Sequence, residues 1–457
     1  MAEQGNDRNV LLISLGCDKN RVDSERMLGL LIRDGYNLVQ DEADADIIVV
    51  NTCCFIDSAK EESIGAILEM AEQRREGRCR KLIVAGCMAE RYKEEIFSEI
   101  PEVDAIVGTG SYDQILEAVS KEKTGCRPSY MTPLSKGISE EPPRILTTGG
   151  FFAYLKIAEG CDRHCTYCVI PSLRGPYRSF PEDNLLKEAA SLAESGVREL
   201  ILVAQDTARY GEDLYGEKRL HVLLNKLSQI ESLKWIRVLY VYPEEIYPEL
   251  IEVIKENPKV CHYLDIPIQH SEDAVLRRMG RRTTRENLIR IVNHLREEIP
   301  DIVLRTTLIT GFPGETEEEH KQLLLFIQNM RFERLGVFTY SREEGTPAAR
   351  MADQIPEEEK TRRMDELLSA QQQISLEKGK QRIGERMQVF IEGFIPEEGV
   401  WVGRTYADAP DVDGLFFAES MQELHSGDFI PAVVTDAGEY DLIGYTCQEE
   451  EGNEILE

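Results

Sequence analysis

The sequence predicts an α/β multidomain protein: an N-terminal doubly wound parallel sheet, a central (βα) partial TIM barrel and a C-terminal small OB-like β-barrel. Three observations carry that prediction. The 457 residues exceed one ordinary domain and match about three at roughly 100–200 residues each. Short apolar runs alternate with helical patterns through the first four-fifths of the chain. Beyond about residue 380 the helices stop and only short strands follow. The expected domains are residues 8–123, 147–379 and 380–448.

In the first domain, Val10–Leu15, Asp46–Asn51, Lys81–Gly86 and Asp104–Val107 read as buried strands. Helices are expected between them at about Val22–Arg33, Ser58–Arg75 and Ala89–Glu99. This order implies a parallel sheet. The stretch Thr124–Gly150, with four prolines and the pair Gly149-Gly150, reads as a linker. Six further strands, at Phe152–Ala158, Leu200–Gln205, Trp235–Val241, His262–Ile268, Val303–Thr310 and Leu335–Tyr340, alternate with helices. Such a barrel is open on one side, admits a large substrate and places its site at the strand C-terminal ends. A helix from Pro356 to about Lys380 leads into five short strands near Met387–Ile391, Val400–Tyr406, Gly414–Ala418, Phe429–Thr435 and Asp441–Tyr445.

Composition narrows the function. Hydrophobic residues at 42% and charged residues at 30% describe a globular chain. Met1–Val10 lacks an apolar stretch of signal-peptide type, and no run approaches a membrane span, so a cytoplasmic location is expected. There the 11 cysteines are poor disulfide candidates, and metal binding or catalysis becomes the better reading. The net charge of −30 repels nucleic-acid backbones and favours a basic partner. Gln381–Glu457 holds three basic residues (Arg382, Arg386, Arg404) against eighteen acidic ones, and its tail Glu449–Glu457 reads as a frayed acidic end.

Cys161, Cys165 and Cys168 form C-x-x-x-C-x-x-C directly after the first barrel strand. A short loop of this kind can wrap three thiolates around a 4Fe-4S cube, where an ordinary electron-transfer cluster takes four. Three ligands leave one iron open, the arrangement that separates catalytic from structural metal sites. The competing reading is a structural zinc completed by His164. Tyr167, Gln205-Asp206, Gln269-His270, Arg305 and the loop Thr310-Gly-Phe-Pro-Gly-Glu315, with Gly311, lie at or near strand C-terminal ends where a cofactor would bind. A glycine-rich strand-to-helix turn lets backbone amides approach it. Singly, each of these suits a turn or barrel-filling residue equally well.

Cys17, Cys53 and Cys87 each stand just past a predicted strand and are separated by 36 and 34 residues, one βα repeat each. In a parallel sheet all three emerge on the edge where open α/β sheets bind ligands. They can hold a second three-cysteine cluster, or they are buried cysteines that merely pack. Cys54 adjoins Cys53 but strand alternation points it elsewhere. Cys79, Cys126, Cys261 and Cys447 lack such partners.

The central segment Gly160-Cys-Asp-Arg-His-Cys-Thr-Tyr-Cys168 resembles the radical S-adenosylmethionine (SAM) signature, and the two triads together resemble the methylthiotransferase family across nearly the whole chain. The resemblance implies two 4Fe-4S clusters, SAM as cofactor and a terminal small barrel called a TRAM domain. It implies reductive SAM cleavage to a 5′-deoxyadenosyl radical at the central cluster, and sulfur supplied or carried by the other. Ser14-Leu-Gly-Cys-Asp-Lys-Asn-Arg-Val-Asp-Ser-Glu25 resembles the protein-modifying RimO branch, which implies an aspartate β-carbon of ribosomal protein S twelve as target. The transfer-RNA-modifying MiaB branch usually has Gln-Met-Asn where Asp18-Lys19-Asn20 stands. Asp18 and Cys54 depart from common RimO residues, proline and glycine, without removing a ligand. The acidic terminal domain suits a basic ribosomal protein, free or in the small subunit, with nucleic-acid contact at most indirect. An external electron donor and a sulfur source are expected partners. A noncatalytic iron-sulfur or zinc protein is the remaining alternative.

Overall fold

The computed structural model describes residues 8–120, 127–135 and 143–447. Strands β1 (Asn9–Ser14), β2 (Asn37–Leu38), β3 (Ile47–Thr52), β4 (Lys81–Gly86), β5 (Val103–Val107) and β6 (Ser129–Tyr130) form one parallel sheet in the order β2-β1-β3-β4-β5-β6. All six residues of β3 are buried, so this strand reads as one apolar run ending in Asn51-Thr52 without alternation. Helices α1 (Asp18–Arg33), α2 (Asp57–Glu76), α3 (Cys87–Glu99) and α4 (Ile115–Ser120) cover the sheet.

Two features of this region differ from the sequence expectation. The linker carries a strand, β6, which pairs with β5 because Tyr130 has a buried place beside it. Further on, Arg144 binds Glu188 at 2.6 Å and Glu25, which fastens the linker across both domains. The other difference is α1, which begins at Asp18 and not at Val22 and buries its charged residues Asp23, Glu25 and Arg26. This helix is pressed between the sheet and the barrel, and each charge finds its partner on the barrel side or in the linker. Arg26, for example, meets Glu188 at 3.1 Å.

The barrel strands are β7 (Phe152–Lys156), then β10 (Glu199–Val203), β11 (Trp235–Val238), β12 (Val260–Asp265), β13 (Val303–Thr310) and β14 (Arg334–Thr339), with the short pair β8 (Ala158–Glu159) and β9 (Arg178–Ser179) between the first two. The six main strands lie parallel in the order β14-β13-β12-β11-β10-β7 and do not close. Their outward residues, including Leu155, Leu200, Leu202, Ile236, Leu264 and Leu304, pack under the helices in one continuous core.

The helix Glu357–Gln381 leads into β15 (Arg386–Ile395), β16 (Val400–Arg404), β17 (Phe416–Glu419), β18 (Phe429–Ala437) and β19 (Leu442–Thr446), a closed barrel ordered β15-β16-β17-β19-β18. Its segment Arg404–Asp413 enters the large barrel at the N-terminal ends of the strands. Fully buried Glu199 accepts from Arg404 at 2.7 Å and from Arg237 at 2.8 Å, and Tyr263 donates to Asp413 at 2.6 Å. Arg334 pairs with Asp408. The small domain thus plugs the end of the barrel opposite the expected site. Among the described residues no helix is long and apolar enough to cross a membrane. Cys126 and the acidic tail Glu449–Glu457 lie outside the described residues.

Candidate active site

Strand order decides where the dispersed cysteines meet. In the first sheet β2 and β3 lie on opposite sides of β1, so the chain reverses direction between β1 and β3, where open α/β sheets bind ligands. Cys17 follows β1 and stands at the N-cap of α1; Cys53 follows β3; Cys87 follows β4 and opens α3. Gly16, at φ +88°, passes so close to Cys53 that a Cβ there would lie 2.6 Å from the Cys53 Cβ. Gly86 shares that φ, and its Cβ would meet the Thr52 carbonyl oxygen at 2.6 Å. Only glycine permits either approach.

Asn20 stitches the three loops together. Its amide donates to the carbonyls of Leu15 and Thr52, each at 2.9 Å, and its Oδ1 accepts from Arg174 at 2.6 Å. Arg174 also points Nη2 at the Cys87 sulfur, 3.5 Å away. Ser63 accepts from the Cys53 N–H at 3.0 Å and donates to its carbonyl at 2.9 Å. Burial pushes the Cys53 thiol up to about 12, and the Cys87 and Cys17 thiols beside it add to the rise. Three neighbouring cysteine sulfurs at one sheet edge are a donor set of the kind that holds an iron-sulfur cluster. Cys54, by contrast, is fully buried in the apolar core with Ile67 and Met88.

The central triad follows β8. Gly160, at φ +83°, turns the chain against Gly175 and Pro176, and a Cβ there would stand 2.1 Å from the Pro176 carbonyl oxygen. The Cys161 N–H donates to the Gly175 carbonyl at 3.0 Å, and that of Cys168 to the Cys165 carbonyl at 3.1 Å. Burial pushes Cys161 up to about 11 and Cys168 up to about 12, with the neighbouring cysteine thiols contributing. Among the described residues no three Cys, His, Asp or Glu side chains converge as tightly as one metal ion needs. Ligands to a cube sit on separate corners and stand wider apart.

Around this loop lie buried polar atoms with no hydrogen-bond partner among the described residues: Gln205 Oε1, Asp206 Oδ1, Arg163 Nε, and Arg281 Nε and Nη1. Unpaired buried polar groups are costly and here suit a polar ligand such as SAM. Tyr167 meets Phe312 edge-on at 6.4 Å, and the Tyr242 hydroxyl lies 3.8 Å from the Cys165 sulfur. Burial raises Asp206 to about 7, and Arg163 opposes the rise.

Three more of the expected cofactor residues are held by contacts of their own. Gln269, at φ +72°, bridges by its backbone to Thr307 and Ile309. Gly311, at φ +70°, is closed off by Lys360, whose Cγ lies 2.3 Å from where a Cβ would stand. Arg305 is the third residue of its eight-residue strand. It pairs with Asp265 at 3.0 Å, at the end of β12, and with Asp413 of the plug at 3.4 Å.

Of the residues that join the triads, Arg174, Lys156, Asp23 and Glu159 were not singled out from sequence. Arg174, six positions beyond Cys168, donates to Asp23 at 2.7 Å and Glu159 at 2.9 Å. Lys156 binds Asp23 and, at 2.8 Å, Glu159; Gln205 donates to the other Glu159 oxygen at 2.9 Å. Burial alone would raise Glu159, but Arg174 and Lys156 overcome it and hold the carboxyl well below its usual range. Val169 and Leu173, next to Cys168, pack in one apolar cluster with Cys87 and Met88. The two triads are therefore joined by one buried ion network and one apolar cluster. Arg163, Tyr242 and Arg281 complete the central loop.

The sequence matches three family descriptions: Uncharacterized protein family UPF0004 over residues 9–108, Radical SAM superfamily over 155–327 and TRAM domain over 383–446. Curated relatives named "Ribosomal protein uS12 methylthiotransferase RimO" include one from Lachnoclostridium phytofermentans, 57% identical over 95% of this chain and 99% of its own length. Another, from Clostridioides difficile, is 49% identical over 96% and 99%. Among solved structures, the radical SAM methyltransferase TsrM from Kitasatospora setae shares the fold at a TM-score of 0.55 and 15% identity, covering 83% of this chain and 76% of that one. The cobalamin-dependent SAM radical enzyme OxsB does so at 0.51 and 15%, covering 80% and 56%. The family implies a 4Fe-4S cluster and SAM as cofactors. The chain belongs to the RimO family of radical-SAM methylthiotransferases.

Proposed function

We propose that the protein places a methylthio group on the β-carbon of an aspartate in ribosomal protein S twelve, the protein named in its relatives. Cys161, Cys165 and Cys168 hold the cluster that binds SAM, and Cys17, Cys53 and Cys87 hold a second 4Fe-4S cluster. The observation that carries this reading is Arg174, which joins the helix after Cys168 to the Cys87 sulfur at 3.5 Å. Bound at these sites, SAM and the clusters supply the radical, the sulfur and the methyl group.

The chain's own residues position and shield. Gln205, Asp206, Arg163 and Arg281 offer the polar atoms that orient SAM, while Tyr167, Phe312 and Tyr242 exclude water from the sulfur ligands. Lys19 sits 3.4 Å from the centre of the Tyr240 ring, whose hydroxyl donates to Asp18 at 3.4 Å. That contact holds the Cys17 loop over the barrel lumen, where the target side chain would enter.

A basic protein fits the charge balance. Of the three basic residues after Gln381, Arg404 is buried against Glu199 and offers nothing to a phosphate. Residues 8–123, 147–379 and 380–448 act respectively as sulfur-cluster, radical and docking units, in the cytoplasm, with an external reductant and sulfur source. Nucleic-acid contact by the docking unit is at most indirect. Peptide mapping after anaerobic turnover tests the substrate. A methylthio mass on the aspartate is expected; its absence there, with a gain on transfer RNA, would move the protein to the RNA-modifying branch.

A further inference from the structure

The net charge of −30 conceals one local reversal. Residues 277–294 contain six arginines (Arg277, Arg278, Arg281, Arg282, Arg285, Arg290) and one carboxylate, Glu286. They span the end of the helix Asp273–Arg278, a loop, and the first part of the helix Arg285–Glu298. Three arginines are engaged within the fold. Arg278 pairs with Glu319 at 3.2 Å, Arg285 pairs with Glu272, and Arg281 is buried with its guanidinium 4.2 Å from the centre of the Tyr242 ring. Arg277, Arg282 and Arg290 are exposed, and among the described residues no carboxylate pairs with any of them. Arg282, Arg290 and His294 border a groove of about 650 Å³ whose rim also carries Glu244 and Glu297.

This basic loop lies directly on the central cysteine loop. Thr166 donates its N–H to the Met279 carbonyl at 2.9 Å and its hydroxyl to the Arg278 carbonyl at 2.8 Å. Gly280, at φ +74°, comes so near that a Cβ would stand 2.8 Å from the His164 carbonyl oxygen and 3.6 Å from the Cys165 Cα. Tyr242, under Arg281, reaches the Cys165 sulfur at 3.8 Å. This unpaired basic surface thus covers backbone that lies against the Cys165 ligand loop.

Each reductive cleavage of SAM consumes one electron, which breaks a carbon–sulfur bond and releases methionine. That electron comes from outside the chain. We propose that Arg277, Arg282 and Arg290 form the docking surface for a small acidic one-electron carrier protein, which reduces the cluster held by the central triad across the Gly280–Cys165 contact. The carrier loses one electron, the cluster gains one, and no proton moves. The remaining surface, rich in carboxylates, repels an acidic carrier, so that encounter is steered to this side of the molecule. The inference rests on Cys161, Cys165 and Cys168 being cluster ligands.

The test uses the cluster-loaded enzyme and the triple variant Arg277→Glu, Arg282→Glu, Arg290→Glu, with Lys187→Glu as an exposed control. Cluster reduction is followed by visible bleaching and electron paramagnetic resonance, with dithionite or with a photoreduced flavodoxin as the acidic carrier. The expected result is unchanged reduction and SAM cleavage with dithionite. Reduction by flavodoxin should be slowed by about tenfold or more at low salt, with a flattened salt dependence, in the triple variant only. Equal flavodoxin rates in all three proteins would overturn the proposal. So would a loss of affinity for ribosomal particles at an unchanged flavodoxin rate, which would make the surface an RNA contact. A wild-type protein that binds no dithionite-reducible cluster would instead remove the ligand assignment beneath it.

Discussion

Replacing Arg174 by methionine keeps an unbranched apolar stem and deletes the guanidinium with its charge and donors. Arg174 is 2% exposed, and its carboxylate partners Asp23 and Glu159 are 6% and 8% exposed, so solvent screens the group little. Four contacts disappear: to Asp23, Glu159, Asn20 and the Cys87 sulfur. Two buried carboxylates then share Lys156 as their remaining cation. Breaking a buried pair in this way costs about 3–5 kcal/mol. A melting shift of roughly 5–15 °C should follow in the transition that separates the first domain from the barrel. Arg174→Lys retains charge without the fork and should fall between the two. Differential scanning calorimetry of the cluster-loaded proteins, with iron analysis, measures both effects. A methionine variant that melts within about 1 °C of wild type and keeps all its iron would refute the claim that this ion network joins the triads.

Other parts of the fold yield further expectations. Glu199→Leu leaves Arg237 and Arg404 buried without their shared anion and should cost about 3–5 kcal/mol; faster proteolytic release of the terminal barrel would report it, and an unchanged cleavage rate would argue against the plug. Gly160→Ala should displace the cysteine loop, because the new Cβ meets backbone at 2.1 Å, and the central cluster's iron should be lost while the other cluster's is retained. Buried His270 is pushed down to about 3, chiefly by desolvation and then by Arg278. Its folded pKa lies below the unfolded one, so the unfolded chain takes up the proton first. Stability is therefore lost as pH falls below about 6.5, by up to roughly 1.4 kcal/mol per unit. His270→Gln should flatten the dependence of melting temperature on pH between 7 and 5; an identical slope would assign it to other groups.

The architecture was legible because its signals are local. Cys17, Cys53 and Cys87 each follow an apolar run, and a parallel sheet brings such positions to one edge whatever the intervening residues. The helix Glu357–Gln381 and the five terminal strands could be read from their periodicities in the same way. What could not be read depends on distant partners. Asp23, Glu25 and Arg26 look like the solvent face of an amphipathic helix, and only the approach of Lys156, Arg144 and Glu188 makes them interior. The close packing of Gly311 against Lys360, almost fifty residues later, is equally hidden in the sequence. The pairing of Arg305 with Asp413, in another domain, likewise leaves no mark on the strand pattern. The arginines of residues 277–290 were hidden by the averaged charge of the whole chain.

Under the proposed function the two cysteine triads divide the work, radical formation at one and sulfur transfer at the other. Cys17→Ala tests it most directly, because Cys17 is exposed at the end of α1 and its removal leaves the buried network of Arg174 intact. Anaerobic turnover is followed with 5′-deoxyadenosine and methylthio-peptide measured in the same sample. SAM cleavage should persist while methylthio transfer is abolished. Loss of both together, or retention of methylthio transfer, would contradict it.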